Sequence, residues 1–272
     1  MLHFIVIGNP ISHSKSPEIH AQFASIANLP ISYQRQFCPN DKEAFVAVVQ
    51  SFFKGGGTGA NVTLPFKQMA FDLCQKDGVL SKNAKSACAV NTLCLKNGQL
   101  YGDNTDGIGL CYDLKRVLAQ RQLGDLAGKR MLILGAGGAT RGIILPLLNE
   151  KVAHITIANR TKARAKQLVS EHNNQLTQAD FETLDGHFDI VINATSATTT
   201  GQALPLPKSL HATVAYELMY GKPSPFLAQL NHDYGVDGLG MLIAQAGYSF
   251  ELWTGICAKT LLPAFFDEPI LP

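Results

Sequence analysis

The segment NVTLPFK, residues 61–67, ends in a lysine that is placed to do acid–base chemistry. Residues 61–64 have the half-apolar, extended character of a strand, and Pro65 is expected to stop that strand. Lys67 would then begin a helix at a cleft. A lysine ammonium is protonated in water at neutral pH, so it is suited to giving a proton to a carbonyl oxygen. The alternative is a strand end that reaches solvent and carries an ordinary solvated lysine.

The segment NPISHSKSPEIH, residues 9–20, gathers hydroxyl groups just before a predicted helix. The hydroxyls of Ser14 and Ser16, with the free N–H groups of the helix N-terminus, make a cradle suited to a small carboxylate. Capping of the helix by either serine explains the local pattern equally well. Asp106 has the same alternative as a helix cap, and Asn91, in AVNT, has the alternative of satisfying backbone groups at a strand end.

The segment MLILGAGGATRG, residues 131–142, combines an apolar strand, a glycine-rich turn and a helix start. Glycine lets the backbone turn tightly and approach a pyrophosphate, and the helix N-terminus attracts its negative charge. The last position of the G-x-G-x-x-G fingerprint is Thr140, so the match is incomplete, and a tight turn without a ligand is the alternative. The turn residues predicted to contact the cofactor are Gly135, Ala136, Gly137, Gly138 and Ala139.

The segment HITIANRT, residues 154–161, lacks the acidic residue that hydrogen-bonds the ribose 2′-hydroxyl of NAD. Arg160 and Arg164 stand there instead, and arginine binds phosphate through paired, charge-assisted hydrogen bonds. We therefore predict a preference for NADP, whose 2′-phosphate two guanidinium groups would clamp. The alternative is that both arginines are solvated residues at a helix start, although cations are disfavoured there.

The segment DIVINATS, residues 189–196, ends in small polar residues after a buried strand. Ligands of open α/β folds bind at the carboxyl ends of the parallel strands. Thr195 is therefore predicted to lie beside the cofactor.

Alternating strands and helices must position these side chains. Strands separated by helices of about 10–15 residues indicate βαβ units and a parallel sheet. The predicted strands cover residues 3–7, 31–37, 61–64, 131–134, 154–158, 188–192 and 213–216. The predicted helices cover residues 41–53 and 161–169, begin near residues 16, 67, 106 and 139, and occupy the last stretch from about residue 239.

Composition excludes several classes of protein for this chain of 272 residues. A net charge of +2 without a basic cluster argues against nucleic-acid binding. No apolar run reaches the length of a membrane span, and the first residues lack the pattern of a signal peptide. The six cysteines form no C-x-x-C pair and no zinc pattern. We expect a cytoplasmic protein with reduced thiols, no metal and no membrane or nucleic-acid partner.

Eight segments together resemble the shikimate dehydrogenase (AroE) family, in the family's order and over essentially the whole chain. They are IGNPISHSKSPEIH, GANVTLPFK, AVNTL, GDNTDGIG, LGAGGA, ANRT, NATS and GLGMLIAQA. The resemblance implies an α/β fold with an N-terminal α/β substrate-binding and catalytic domain at residues 1–105. A Rossmann-like, doubly wound parallel-sheet NADP domain would follow at residues 106–237, and C-terminal helices at 238–272 would pack back on the first domain.

The resemblance also implies an activity, which is the reversible reduction of 3-dehydroshikimate to shikimate by NADPH, a step of chorismate and aromatic amino acid biosynthesis. Lys67 would be the acid/base residue and Asp106 its partner. The substrate residues implied in this way are Ser14, Ser16, Thr63, Asn91, Asp106, Tyr220 and Gln245. Besides the glycine-rich turn, the cofactor residues implied in this way are Asn159, Arg160, Thr161, Arg164, Met219 and Gly238.

One departure and two rival functions stay open. After residues 193–196 the family usually continues with glycine, whereas this chain has residues 197–200 as ATTT, so this loop is expected to differ. One rival is a quinate/shikimate dehydrogenase that uses NAD as well as NADP, and the other is a catalytically silent NADP-binding protein of the same fold. The oligomeric state is expected to be a monomer or a homodimer.

Overall fold

The computed structural model describes residues 1–172 and 175–267. These residues divide into two compact units. Unit 1 comprises Met1–Gly109 and the described residues from Ile243 onward, and unit 2 comprises Leu110–Leu242. Both boundaries fall inside helices, a few residues beyond the predicted boundaries after residues 105 and 237.

Unit 1 is built on a mixed sheet. Its elements up to the first boundary are β1 (Leu2–Gly8), α1 (Ser16–Ile26), β2 (Ile31–Phe37), α2 (Lys42–Lys54), β3 (Gly59–Val62), α3 (Lys67–Asp77), β4 (Val79–Leu80), α4 (Lys82–Ala87), β5 (Thr92–Lys96), β6 (Gln99–Asp103) and α5 (Asp106–Gln120). The strand order is β2-β1-β3-β5-β6-β4. β1 is parallel to both neighbours, whereas β5 runs antiparallel to β3 and β6.

The core of unit 1 follows from helical periodicity. Asp41 caps α2 by accepting a hydrogen bond from the Ala44 N–H at 2.7 Å. Phe45, Val49 and Phe53 then recur on one stripe of the helix, and all three are buried. This stripe packs with the apolar residues of β1 and β3 to form one core cluster.

Unit 2 is built on a parallel sheet. The elements that follow α5 are β7 (Arg130–Leu134), α6 (Gly138–Asn149), β8 (His154–Ala158), α7 (Lys162–Ser170), β9 (Leu176–Ala179), β10 (His187–Asn193), α8 (Ala197–Thr200), β11 (His211–Glu217), α9 (Pro225–Gln229), β12 (Asn231–Val236), α10 (Leu239–Thr254) and, in unit 1, α11 (Ala258–Asp267). The strand order is β12-β11-β10-β7-β8-β9. All five strand pairs are parallel, and the order reverses between β7 and β10, as in a doubly wound Rossmann sheet.

The end of one strand and two edge strands differ from the predictions. The strand expected at residues 61–64 ends at Val62, so Thr63 and Pro65 lie in the turn that leads to α3. The edge strands β9 and β12 were not predicted. Within the described residues, no helix has the length and apolar character needed to cross a membrane.

Candidate active site

Lys67 and Asp106 form an ion pair in unit 1. Lys67 is the first residue of α3 and Asp106 the first residue of α5. The Lys67 Nζ donates to Asp106 Oδ2 at 2.6 Å, and the two side chains are 28% and 21% exposed. Asp106 is already inside α5, and its two carboxylate oxygens accept from Lys67 and Asn91, which is a different role from the helix cap that the sequence left open. The pair is thus held yet accessible, as proton transfer to a bound molecule requires.

Asn91 connects this pair to the interior of unit 1. Its Nδ2 donates to Asp106 Oδ1 at 2.8 Å, to Thr105 Oγ1 at 3.0 Å and to Gln245 Oε1 at 3.3 Å. Its Oδ1 accepts from the Thr105 N–H at 3.0 Å and from Thr92 Oγ1 at 2.8 Å. Asn91 therefore does more than satisfy the backbone of a strand end, since it fixes which oxygen of Asp106 faces Lys67.

Gln245 reaches this cluster because α5 and α10 approach closely within unit 1. A Cβ on Gly109 would lie 2.6 Å from the Gln245 backbone nitrogen, so only glycine allows this contact. Gln245 is buried, and its Oε1 accepts from Asn91 and from Thr105 Oγ1. The structure thus brings together Lys67, Asp106, Asn91 and Gln245, which come from four separate segments.

Ser14 and Ser16 lie side by side at the start of α1. Their hydroxyl oxygens are 3.1 Å apart, and the cap position belongs to Lys15, which makes no side-chain capping bond. Arg35 donates from Nε at 2.9 Å and from Nη2 at 2.6 Å to the Ser14 carbonyl oxygen, and its Nη2 also bonds Glu18. The loop that presents the two hydroxyls is therefore fixed from its outer side.

A run of hydrogen bonds extends from Ser16 toward the ion pair, and sequence reasoning missed its intermediate members, which are Tyr33, Asn61, Ser249 and Thr105. Ser16 bonds the Tyr33 hydroxyl, which donates to Asn61 Oδ1 at 2.8 Å. Asn61 Nδ2 donates to Ser249 Oγ at 3.1 Å, and Ser249 meets Thr105 at 3.2 Å. From Thr105 the run continues to Asn91 and Asp106. The only local signal was the clustering of polar residues next to predicted site residues in GANVT and GDNTD.

Thr63 lies in the turn before Lys67 and is half-buried. Its N–H donates to the Ile7 carbonyl at 2.9 Å, which ties the turn to the end of β1. A Cβ on Gly8 would lie 2.6 Å from Thr63 Cγ2, so the close packing of Thr63 depends on glycine at that position. Its predicted contact with a substrate hydroxyl stays a prediction.

His20 is buried beneath these polar groups and is neutral. Burial lowers its pKa to about 3, and the hydrogen bond of its Nε2 with Asn61 Oδ1, at 3.2 Å, opposes this only in part. The ring stacks on Tyr33, with centroids 4.5 Å apart. Its buried Nδ1 has no hydrogen-bond partner in the described part of the chain, so protonation there would place an unpaired charge in the core.

The glycine-rich turn of unit 2 has room for a phosphate. Gly135 has φ +109°, and a Cβ on it would lie 3.1 Å from the Ala194 carbonyl, so this position needs glycine. Gly137 and Gly138 are exposed, and nothing lies within 4 Å of a Cβ placed on either. Within residues 1–172 and 175–267 no side chain caps α6, so its first N–H groups are open to an anion. These features fit the pyrophosphate of a dinucleotide.

The exposed residues after β8 fit the 2′-phosphate of NADP. Arg160 and Arg164 are exposed, and neither makes an ion pair with another described residue. Asn159 Nδ2 donates to the Thr161 carbonyl at 2.9 Å, which shapes the turn that carries Arg160. No carboxylate lies at the position that would favour the ribose of NAD.

The segments after β10 and β11 carry the remaining predicted residues. Thr195 follows β10, and Met219 follows β11. The Gly238 N–H donates to the Met219 carbonyl at 3.0 Å, and a Cβ on Gly238 would collide with the Leu218 carbonyl. Tyr220 belongs to unit 2, and burial raises the pKa of its hydroxyl. Its predicted contact with the substrate carboxylate stays a prediction. Among the described residues, no three His, Cys, Asp or Glu side chains are grouped to hold a metal ion.

Models of one protein family match three stretches of the chain. Residues 6–93 match the shikimate dehydrogenase substrate binding domain, and residues 117–201 match shikimate / quinate 5-dehydrogenase. Residues 238–258 match the shikimate 5′-dehydrogenase C-terminal domain.

Known proteins are similar to this chain over nearly its whole length. A shikimate dehydrogenase (NADP(+)) of Psychrobacter arcticus is 49% identical over 274 residues, with 93% of each chain covered. The crystal structure of an Ael1 enzyme from Pseudomonas putida is similar, with 38% identity and a TM-score of 0.85 over 97% of this chain and 98% of that one. Shikimate 5-dehydrogenase from Thermus thermophilus, solved in complex with NADP(H) and shikimate, is 30% identical with a TM-score of 0.79, and 98% of this chain and 99% of that one are covered.

Proposed function

The chain belongs to the shikimate dehydrogenase family, and on that premise we propose that it is an NADP-dependent oxidoreductase that interconverts 3-dehydroshikimate and shikimate. The observation that carries the proposal is the Lys67–Asp106 ion pair, joined through Asn91 to Gln245. This cluster places an accessible ammonium beside several groups that hydrogen-bond hydroxyls. A ring that bears a ketone among hydroxyl groups is a suitable partner for such a surface.

The residues of unit 1 handle the substrate and its proton. Lys67 Nζ donates a proton to the ketone oxygen during reduction, and in oxidation the neutral amine accepts the proton of the hydroxyl. Asp106 orients the ammonium and accepts from a ring hydroxyl. Ser14 and Ser16 donate to the carboxylate, with Tyr220 assigned to the same end of the substrate. Thr63, Asn91 and Gln245 bind the other ring hydroxyls.

The residues of unit 2 hold NADP(H). NADPH, when bound, supplies the hydride that adds to the carbonyl carbon. The glycine-rich turn offers open N–H groups to the pyrophosphate, and Arg160 and Arg164 offer guanidinium groups to the 2′-phosphate. Asn159 and Thr161 shape the turn that carries Arg160. We assign Thr195, Met219 and Gly238 to the nicotinamide side of the cofactor. We further propose a cytoplasmic location and a monomeric or homodimeric state.

The experiment is an absorbance assay for reduced nicotinamide with the purified protein. Shikimate or quinate is combined with NADP or NAD, in four mixtures. The proposal predicts the largest kcat/KM for shikimate with NADP, and its near-complete loss in Lys67→Ala. Absence of signal in all four mixtures would refute it and would favour a silent NADP-binding protein.

A quinate/shikimate dehydrogenase is the second candidate, because the family model matched by residues 117–201 is described for both substrates. Quinate has an additional hydroxyl on the carbon that bears the carboxylate, so discrimination would lie around Ser14 and Tyr220. Comparable kcat/KM values for quinate and shikimate in the same assay would favour this candidate. The exposed Arg160 and Arg164 argue for NADP in either case.

A further inference from the structure

Glu217 is a buried carboxylate at the carboxyl end of β11, and the proposed reaction does not use it. It is 1% exposed and makes no ion pair with a described residue. Its Oε2 accepts from Asn193 Nδ2 at 2.7 Å, Thr198 Oγ1 at 2.6 Å and Ser224 Oγ at 2.8 Å. Its Oε1 accepts from the Met219 N–H at 3.0 Å. Four neutral donors from four places in the chain thus converge on one charge.

Glu217 determines the orientation of the Asn193 side chain. A carboxylate only accepts hydrogen bonds, so the amide nitrogen of Asn193 must face Glu217 and its oxygen must face away. That oxygen accepts from the Thr195 N–H at 3.1 Å and from Thr195 Oγ1 at 2.7 Å. The hydroxyl of Thr195 is therefore positioned by Glu217 through one intervening side chain.

The loop of residues 197–200, which departs from the family pattern, is tied to the same carboxylate. This loop forms the short helix α8, and Thr198 is its buried residue. Because the Thr198 hydroxyl donates to Glu217, the helix is anchored against the end of β11. The departure in sequence thus supplies a hydrogen-bond donor and does not leave a loose loop.

Glu217 also orders the backbone after β11. It holds the Met219 N–H, and the Met219 carbonyl accepts the Gly238 N–H. Thr195 and Gly135 are in close packing, since a Cβ on Gly135 would lie 3.2 Å from Thr195 Cγ2. One side chain thus connects Thr195, Met219 and Gly238, all three of which were predicted to bind the cofactor.

We propose that Glu217 is a positioning residue for NADP(H), an inference that rests on the proposed function. A buried carboxylate is costly to desolvate, and apolar replacements of buried charges are often neutral or stabilising. The role of Glu217 is to hold the Asn193 amide and the Met219 backbone in place. Thr195 and Met219 are then positioned to contact the cofactor. Loss of the Glu217 charge leaves the substrate residues of unit 1 unchanged and weakens the binding of NADP(H) to unit 2.

The test compares Glu217→Gln with Glu217→Asp and with the wild-type protein. Gln keeps the shape of the Glu217 side chain but places an NH₂ group against three hydrogen-bond donors. We therefore expect the KM for NADP to rise about tenfold, which corresponds to the loss of one charge-assisted hydrogen bond. The KM for shikimate should change less than about twofold in the same variant. Asp keeps the charge and both acceptor oxygens, so it should recover most of the lost affinity. Glu182→Gln, at an exposed position of unit 2, is the matched control.

Isothermal titration with NADP in the absence of substrate separates this inference from the proposed function. A wild-type protein that binds NADP but does not oxidise shikimate would refute the function alone. Equal increases of both KM values in Glu217→Gln, or an unchanged NADP affinity in the folded variant, would overturn the positioning role. If Glu217→Gln does not fold, Thr198→Val removes only one donor, and it should still weaken NADP binding by about threefold. Unchanged NADP binding in Thr198→Val would then overturn the inference.

Discussion

The polar side chains that unit 1 assigns to the substrate are bonded to one another, whereas the groups that unit 2 assigns to the phosphates of the cofactor are exposed. Asn91 makes hydrogen bonds with several side chains, and Gln245 is buried beside it. By contrast, Gly137 has no atom within 4 Å of a Cβ placed on it, and Arg160 is exposed. The difference indicates that unit 1 meets the substrate with a preformed network, while unit 2 meets the phosphates of the cofactor with charge and free N–H groups. Changes in unit 1 should therefore act on turnover, and changes in unit 2 on cofactor affinity.

The largest expected effect is that of Lys67→Ala. Loss of the general acid should lower kcat by roughly 10²–10⁴, because Asp106 pairs with no second ammonium among the described residues. Shikimate binding should change little, since the groups assigned to the ring and carboxylate stay in place. Steady-state kinetics and calorimetric titration with shikimate measure the two quantities. Lys76→Ala, at an exposed position of the same helix, is the control, and near-normal turnover in Lys67→Ala would remove Lys67 from the mechanism.

Arg160→Ala should weaken the binding of NADP and leave the binding of NAD nearly unchanged. Loss of a charge-assisted hydrogen bond to the 2′-phosphate should raise the KM for NADP by about 10–100-fold. The KM for NAD should hardly change, because NAD lacks that phosphate. Parallel assays with both cofactors measure the ratio, with Lys166→Ala, exposed on the helix that follows, as the control. Equal increases of the KM for NADP and for NAD would show that Arg160 does not bind the 2′-phosphate.

Substitutions of two glycines in the glycine-rich turn should affect different quantities, one the free energy of unfolding and the other the affinity for NADP. Gly135→Ala forces a side chain onto φ +109° next to Ala194, and we expect a loss of about 1–3 kcal/mol in the free energy of unfolding. Gly137→Ala meets no atom of the protein, so its stability should be near that of the wild type while NADP affinity falls. Urea unfolding and NADP titration of both variants test the pair. A destabilised Gly137→Ala with normal NADP affinity would contradict the assignment of this turn to a phosphate.

The buried cluster of unit 1 should also make stability depend on pH through His20. Its pKa is about 3 in the folded protein and 6.5 in the unfolded chain. Below about pH 6.5 the unfolded chain binds a proton that the folded protein does not, so the free energy of unfolding falls by up to about 1.4 kcal/mol per pH unit until about pH 3.

His20→Phe keeps an aromatic ring against Tyr33 and cannot be protonated. Between pH 7 and pH 5 the wild-type protein should lose about 2 kcal/mol more of its unfolding free energy than this variant. Urea unfolding of both proteins at the two pH values gives the difference, because the other titrating groups contribute equally. Identical pH dependence in the two proteins would mean that His20 titrates normally in the folded state.

Local sequence patterns were sufficient to predict most of the helices and strands. The strands that were not predicted were missed for physical reasons. The strand at residues 31–37 was predicted with the observed bounds, because Ile31, Tyr33 and Phe37 share one face of an alternating pattern that lies between two prolines, Pro30 and Pro39. β9 has four residues and β12 contains Asn, His, Asp and Gly, so neither has the apolar signal of a buried strand. Both lie at sheet edges, where burial on two faces is not required.

The sequence pointed to candidate site residues one by one, and it did not reveal the network that connects some of them. Lys67 and Asp106 stood out through their segments, and the structure places them in contact. Ser249 and Glu217 did not, because their roles depend on partners far away in the chain, such as Asn61 for Ser249. The strand expected to reach residue 64 ends earlier, since the Thr63 N–H bonds the end of β1 while the chain is already turning.

The close approach of Gly109 to Gln245 has a consequence for engineering and for natural variation. Any side chain at this position would push α10 away and would carry Gln245 away from Asn91 with it. A library aimed at new ring substituents could therefore include Gln245 only while Gly109 is left untouched. Substitution of Gly109 should reach the substrate network through the α10 backbone, although no atom of Gly109 is assigned to the substrate.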